Sequence, residues 1–180
     1  MKVKKCNICS IAASRKNRVI GRGNVPADIL FLGEAPGKAE DLIGVPFVGP
    51  SGNLLERLID DSTKMAKLKG TPSYYITNII LCRPYIEDVE DDKYLENREP
   101  TLMEIVNCSP LVNDIIKHVN PKFVVFVGKV AESFYQKNFK FKIRILHPSF
   151  LLRNGGISSP HYLSTVRTLS ETFNFVVKNW

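Results

Sequence analysis

A chain of 180 residues with 44% hydrophobic side chains suits one domain with its own buried core, and that core needs no disulfide scaffold. No apolar run approaches the ~20 residues of a membrane-spanning helix, so a membrane partner is excluded from the reading. The net charge is +7, and the basic start Met1-Lys2-Val3-Lys4-Lys5 is not followed by the apolar centre of a signal peptide, so a reducing, cytoplasmic setting is expected.

In chain order, Ala27 to Leu32, closed by Gly33, reads as a buried strand. Asn53 to Leu68 places Leu54, Leu55, Leu58, Ile59, Met65 and Ala66 on one helical face, with Ser51 upstream as a candidate cap. Tyr74 to Leu81 is a second β-rich run. Thr101-Leu-Met-Glu104 has the form of a capping box and predicts a helix start, while Pro110 predicts an end or kink near Cys108. A further helix is expected to carry Leu111, Val112, Ile115 and Ile116. Phe123 to Gly128 is the clearest buried strand, and Lys142 to Leu146 is a fourth candidate. Ser159-Pro160 opens a last helix with Tyr162, Val166, Leu169, Phe173 and Val177 facing inward.

Strands that alternate with helices predict an α/β fold with a mostly parallel sheet covered on both faces. Such sheets bind ligands outside the carboxyl ends of their strands. Three segments are predicted there: Gly33 to Gly52, Thr77 to Pro84, and His147 to Arg153. Phe47 sits between Pro46 and Val48 in a stretch rich in Gly and Pro, and is either a stacking face for a flat ring or a core side chain. Of the three histidines, only His147 lies in such a segment; His118 fits an exposed helix face and His161 a helix start.

Charge is unevenly spread. No acid precedes Asp28, a stretch that holds Lys2, Lys4, Lys5, Arg15, Lys16, Arg18 and Arg22. From Lys117 onward the only acids are Glu132 and Glu171, against ten Lys and Arg. The acids gather in the middle, at Glu87, Asp88, Glu90, Asp91, Asp92 and Glu96. Basic ends suit a polyanionic partner such as a nucleic acid. Four cysteines in a reducing setting point to metal ligation over disulfides, and Cys6-x-x-Cys9 is a ligand spacing compatible with zinc or an iron–sulfur cluster.

Four motifs in register carry a family resemblance. GEAPGKAED…GVPFVGPSGNLL from Gly33, Thr77-Asn78 with Cys82-Arg83-Pro84, PKFVVFVGKVA from Pro121, and Leu146-His147-Pro148-Ser149 with Leu152-Arg153 resemble the motifs of the family-4, iron–sulfur uracil-DNA glycosylases. The resemblance runs from about Asp28 to Arg153 and implies a three-layer α/β/α sandwich around a short, mostly parallel sheet. It implies a DNA repair enzyme that hydrolyses the N-glycosidic bond of uracil, acting as a monomer on single- or double-stranded DNA. It also implies that Cys6, Cys9, Cys82 and Cys108 hold a [4Fe–4S] cluster, with zinc as the rival occupant. The chain departs from the family in one place: an acidic insert, Ile86 to Leu95, separates Cys-Arg-Pro from Asn97-Arg98-Glu99-Pro100. That insert puts in doubt any role for the polar residues just after Pro84, and is expected to point away from DNA phosphates.

By the same resemblance, Gly33, Glu34, Phe47, Asn78 and His147 form a uracil pocket. Phe47 stacks on the ring, and the Asn78 amide offers a donor and an acceptor to the uracil edge. His147 faces the oxygen that becomes anionic as the base leaves. Glu34 orients the attacking water or steadies the sugar cation. Lys38, Ser51 and Ser149 are expected at phosphates. Leu151, Leu152 and Arg153 are expected to fill or clamp the space left by a base flipped out of the stack. Two readings stay open beside this one: a non-catalytic iron–sulfur DNA-binding protein on the same scaffold, and a glycosylase for another deaminated or mismatched base. A covalent-trapping branch is set aside, because no histidine lies between Arg83 and Lys117.

Overall fold

The computed structural model describes residues 6–86 and 96–180. Its five strands are β1 (Arg22–Gly23), β2 (Ile29–Gly33), β3 (Tyr74–Asn78), β4 (Phe123–Val127) and β5 (Lys142–Ile145), and they form one sheet in the order β1-β3-β2-β4-β5. β2 pairs in parallel with both β3 and β4, β4 with β5, and only the two-residue edge strand β1 runs antiparallel, against β3. The helices are α1 (Ile11–Ser14), α2 (Lys38–Ile43), α3 (Pro50–Met65), α4 (Leu102–Val119), α5 (Lys129–Tyr135), α6 (Pro148–Arg153) and α7 (Pro160–Asn179).

Strand alternation divides the core in two. Ile29, Phe31, Ile76, Val125 and Val127 face α3, α6 and α7, where Leu55, Leu58, Leu151, Leu169 and Phe173 meet them. Leu30, Leu32, Val124 and Phe126 face the other side, against Ile105, Val112 and Ile115 of α4 and Ala131 of α5. Successive strand side chains point to opposite faces, so buried runs such as Ile29–Gly33 and Phe123–Val127 must be covered on both. The result is an α/β/α sandwich. From β2 the chain passes through α2 and α3 to β3 on one side, and later through α4 to β4 on the other. The carboxyl ends of β2 and β4 therefore flank a topological switch point, where open α/β sheets form their crevice.

Several expectations are corrected. Pro110 neither ends nor splits a helix: α4 runs unbroken from Leu102 to Val119. Proline leaves the carbonyl four residues upstream without its usual N–H, and here Ser109 Oγ donates to that carbonyl, Val106 O, at 2.8 Å. Helix α3 starts before Asn53, with Gly49 as cap and Pro50 in its first turn, so Ser51 is helical and caps nothing. Met65 is exposed, and Leu68 packs on the core only after the helix has ended. The run Tyr74 to Leu81 is strand only to Asn78; beyond it, Ile79 N and Ile80 N donate to Gly33 O and Glu34 O. Val176 and not Val177 takes the inward place on α7, where Tyr162, Val166, Leu169 and Phe173 are buried as expected. The capping box at Thr101 and Glu104 and the Ser159 cap both form.

The insert lies outside the described residues, apart from the exposed Ile86. Its flanks meet: Tyr85 bridges to Asn97, and Ile86 N donates to Glu96 O at 2.9 Å. No helix among the described residues is long and apolar enough to cross a membrane.

Candidate active site and cysteine centre

A cavity of about 630 Å³ opens at the carboxyl ends of the parallel strands. Each strand delivers one part of it. Glu34 follows β2, Asn78 ends β3, Gly128 follows β4 and His147 follows β5, and Phe47 joins from the turn before α3. Lys38, Ser51, Ser149 and Arg153 stand around the same cavity. Gly33 lies behind it: a Cβ there would run into Asn78 Oδ1 and come within 2.8 Å of Phe47 Cζ, so only glycine lets the amide and the ring close up.

Asn78 is 1% exposed, and its Oδ1 has no hydrogen-bond partner among the described residues. A buried, unpaired acceptor costs about 1–3 kcal/mol. A ligand N–H would relieve that cost. Phe47 belongs to the core at 8% exposure, and it also lines the cavity. Its ring lies tilted toward the His147 ring, with centroids 6.3 Å apart. Its backbone is left-handed, at φ 53°, an uncommon conformation for a bulky residue.

His147 caps α6. Its Nδ1 accepts the Ser149 N–H at 3.2 Å and lies 2.7 Å from Ser149 Oγ. A backbone N–H can only donate, so Nδ1 is an acceptor and the neutral ring carries its proton on Nε2. Burial, and next the charge of Arg153, hold the imidazole below the usual histidine range, so the ring is neutral at neutral pH. Glu34 moves the other way: burial, and then repulsion from Glu99, push its carboxyl above the ordinary range. The cavity thus joins an aromatic face, an amide edge, a neutral N–H donor and a carboxyl reluctant to ionise. That set suits a flat, polar ring which leaves with negative charge.

Two expectations for the last segment change. His147 to Arg153 is a helix cap followed by the short helix α6 and not a loop. Leu151 is fully buried in the core and cannot fill a vacated base position, whereas Leu152 is 41% exposed. The structure also brings in residues that the sequence reading missed: Asn97, Arg98, Glu99 and Lys129. The insert parts Asn97 from Pro84 in sequence, yet Arg83, buried before the insert, donates from Nε to Asn97 Oδ1 at 2.6 Å. Lys129 had a signal, a cation placed directly after the glycine that closes β4.

On the other face of the sheet, Cys6, Cys9, Cys82 and Cys108 line one small, apolar cavity. Among the described residues, no three His, Cys, Asp or Glu side chains gather closely enough for a single metal ion. Four thiols around one space are a donor set that suits zinc or an iron–sulfur cluster alike. Arg15 donates to Cys82 Sγ at 3.3 Å and to Cys6 O at 2.7 Å, tying the N-terminal pair to the central loop. Burial pushes the Cys108 thiol up to about 12 and raises that of Cys82, so isolated thiolates are disfavoured there without a cationic centre.

Comparison with known proteins follows the same lines. The family model of the uracil DNA glycosylase superfamily matches residues 20–170. A type-4 uracil-DNA glycosylase of Saccharolobus solfataricus is 37% identical over 141 residues, which cover 78% of this chain and 59% of that protein. One of Thermotoga maritima is 34% identical over 170 residues, covering 85% and 81%. One of Archaeoglobus fulgidus is 34% identical over 129 residues, covering 72% and 57%. The chain therefore spans under two thirds of two of these relatives and about four fifths of the third. On the matched residues and on the strand-end cavity alike, this chain belongs to the uracil DNA glycosylase superfamily.

Proposed function

We propose that this protein excises uracil from DNA by hydrolysing its N-glycosidic bond, with the strand-end cavity as the pocket for the extruded base. The observation that carries the reading is the buried, unpartnered Asn78 Oδ1 beside Phe47 and His147. Uracil presents an N–H flanked by two carbonyls. The Asn78 amide matches that edge with an acceptor and a donor, whereas cytosine offers an acceptor where uracil has its N–H and leaves Oδ1 unpaired. Phe47 covers the ring. His147 Nε2–H faces the oxygen that gains charge as the base departs, while Ser149 holds the opposite nitrogen.

Glu34 stands at the sugar side in this reading. As a carboxylate it steadies the sugar cation or orients water, and Asn97, held by Arg83, is a second polar group for that water. Lys38, Lys129 and Arg153 at the rim suit flanking phosphates, with Ser51 and Ser149 as hydroxyl contacts. Cys6, Cys9, Cys82 and Cys108 would hold a [4Fe–4S] cluster, whose iron compensates the buried thiolates. Its contribution is structural. Cys82 lies two residues before Pro84, which lines the base cavity, so a fixed Cys82 fixes the turn that carries Arg83 and, through it, Asn97. A reducing cytoplasm and a monomer acting on DNA complete the proposal.

Asn78→Asp tests it. The variant sets a carboxylate against a uracil carbonyl in place of the amide N–H, and single-turnover excision from uracil-containing oligonucleotides is expected to fall by about 100-fold or more, on the scale of one lost donor and one new repulsion. A folded Asn78→Asp protein that excises uracil at the wild-type rate removes the main support for the pocket.

A further inference from the structure

The stacking ring of Phe47 depends on a backbone turn that is poor by itself. Phe47 adopts φ 53°, where a bulky side chain is disfavoured. Its carbonyl also lies against Gly52, where an added Cβ would overlap Phe47 O and C, so the turn is pressed onto the first turns of α3. Something outside the cavity must hold it.

The edge strand β1 supplies that hold. Arg22 donates from Nε to Pro46 O at 2.9 Å and from Nη2 to Phe47 O at 3.4 Å. The same Nη2 pairs with Glu56 Oε1 on α3. The second oxygen of Glu56 accepts from Tyr74 OH at 3.0 Å, and the Tyr74 ring packs edge-on against Phe31 in the core, with centroids 5.8 Å apart. A guanidinium fork thus grips two successive carbonyls of the Phe47 turn and is itself anchored to α3 and β3. Gly21 and Gly23 flank it, and both lie so close to Tyr75 or Tyr74 that a Cβ would clash, so Arg22 is the one side chain this strand offers. Nothing in the base pocket described above accounts for that arrangement: Arg22 does not line the cavity.

We infer that Arg22 is a positioning residue for base stacking: its fork, fixed by Glu56, holds the Phe47 turn so that the ring stands as one wall of the pocket. The inference rests on the uracil-excision reading for its readout. Lysine keeps the charge but presents a point donor in place of a planar fork, so Arg22→Lys should release one or both carbonyls. Because Arg22 acts only through Phe47, the effect must vanish when the ring is gone.

The experiment is a double-mutant cycle on the full chain, using wild type, Arg22→Lys, Phe47→Ala and the double variant. The readouts are inhibition by free uracil and single-turnover excision, with circular dichroism and Tm as folding controls. Phe47→Ala is expected to weaken uracil inhibition about 5- to 100-fold, the range for loss of one stacked base. Arg22→Lys is expected to weaken it about 3- to 10-fold in the wild-type background, and less than 2-fold in the Phe47→Ala background. Glu56→Gln, which removes the anchor's charge and keeps a partner for Tyr74, should show a smaller effect with the same dependence on Phe47; it serves in place of Arg22→Lys if that variant does not fold. Equal losses in both backgrounds, or no loss while Phe47→Ala is impaired, overturn the clamp and leave the function standing. Phe47→Ala that binds uracil like wild type overturns the pocket reading and the clamp with it.

Discussion

His147→Ala tests the proposed donor to the departing base. Ser149 fixes the Nδ1 of the ring as an acceptor, through the backbone N–H at 3.2 Å and Oγ at 2.7 Å, which makes Nε2–H the donor that the proposed function assigns to the departing base. Removing one such donor from a water-poor site raises a barrier by about 2.7–4 kcal/mol, or about 100- to 1,000-fold in rate. Ser149→Ala removes only the Oγ contact and keeps the backbone N–H on Nδ1, so it should cost about 1 kcal/mol, or roughly fivefold. The sign of the pH dependence follows from the lowered imidazole pKa. The neutral, Nε2-protonated ring persists below the ordinary histidine value near 6.5, so His147 places no acid limb at or above that pH. The assay is single-turnover excision of uracil from single- and double-stranded oligonucleotides between pH 5 and 9, with circular dichroism as the folding control. A folded His147→Ala protein within threefold of wild type, or Ser149→Ala as damaging as His147→Ala, refutes the reasoning.

Glu34→Gln should lower excision yet raise thermal stability at neutral pH. The raised carboxyl pKa means that the folded state resists ionisation, so the native carboxylate is a stability cost above its folded pKa; that cost fades as pH falls from the raised pKa towards the ordinary value and is gone below it, and with it the advantage of Gln, as Tm measured from pH 7 to pH 4 would register. Gly52→Ala should be destabilising even though alanine favours helices by about 1 kcal/mol, because its Cβ would overlap backbone atoms of Phe47. Overpacking of this kind costs about 1–3 kcal/mol or more, and a lower Tm with weakened uracil inhibition is the expected pair of results. Cys108→Ser should reduce bound iron and visible absorbance in anaerobically purified protein, and chelation or oxidation of the wild type should do the same; colourless wild type with stoichiometric zinc would overturn the cluster and leave the fold intact.

Much of the layout was legible in the sequence because it rests on local patterns. The short apolar runs at Ile29–Gly33 and Phe123–Val127, closed by glycine, read as buried strands, and their alternation with helical segments implies a parallel sheet with helices on either side. The Thr101–Glu104 box and the Ser159-Pro160 start rely on contacts within four residues, and both form as read. Glu34, Asn78 and His147 were legible as strand-end residues, and Phe47 as part of the segment that follows β2, because a parallel sheet brings all its carboxyl ends to one edge.

What only the tertiary structure decided depends on partners distant in sequence. Proline at 110 is a breaker by local rules, and a helix survives there because Ser109 takes up the orphaned carbonyl while the helix packs on the sheet. Asn97 is cut off from Pro84 by the insert in sequence, but the Arg83 side chain returns it to the cavity. Leu151 and Leu152 are indistinguishable by type; the packing of α6 on the core buries the first and leaves the second exposed. Arg22 reads as one more cation in a basic N-terminal stretch, and its grip on the Phe47 turn exists only because β1 pairs with β3 beside α3. Local propensity and periodicity are properties of neighbours along the chain. The geometry of a pocket, and of what braces it, is a property of neighbours in space.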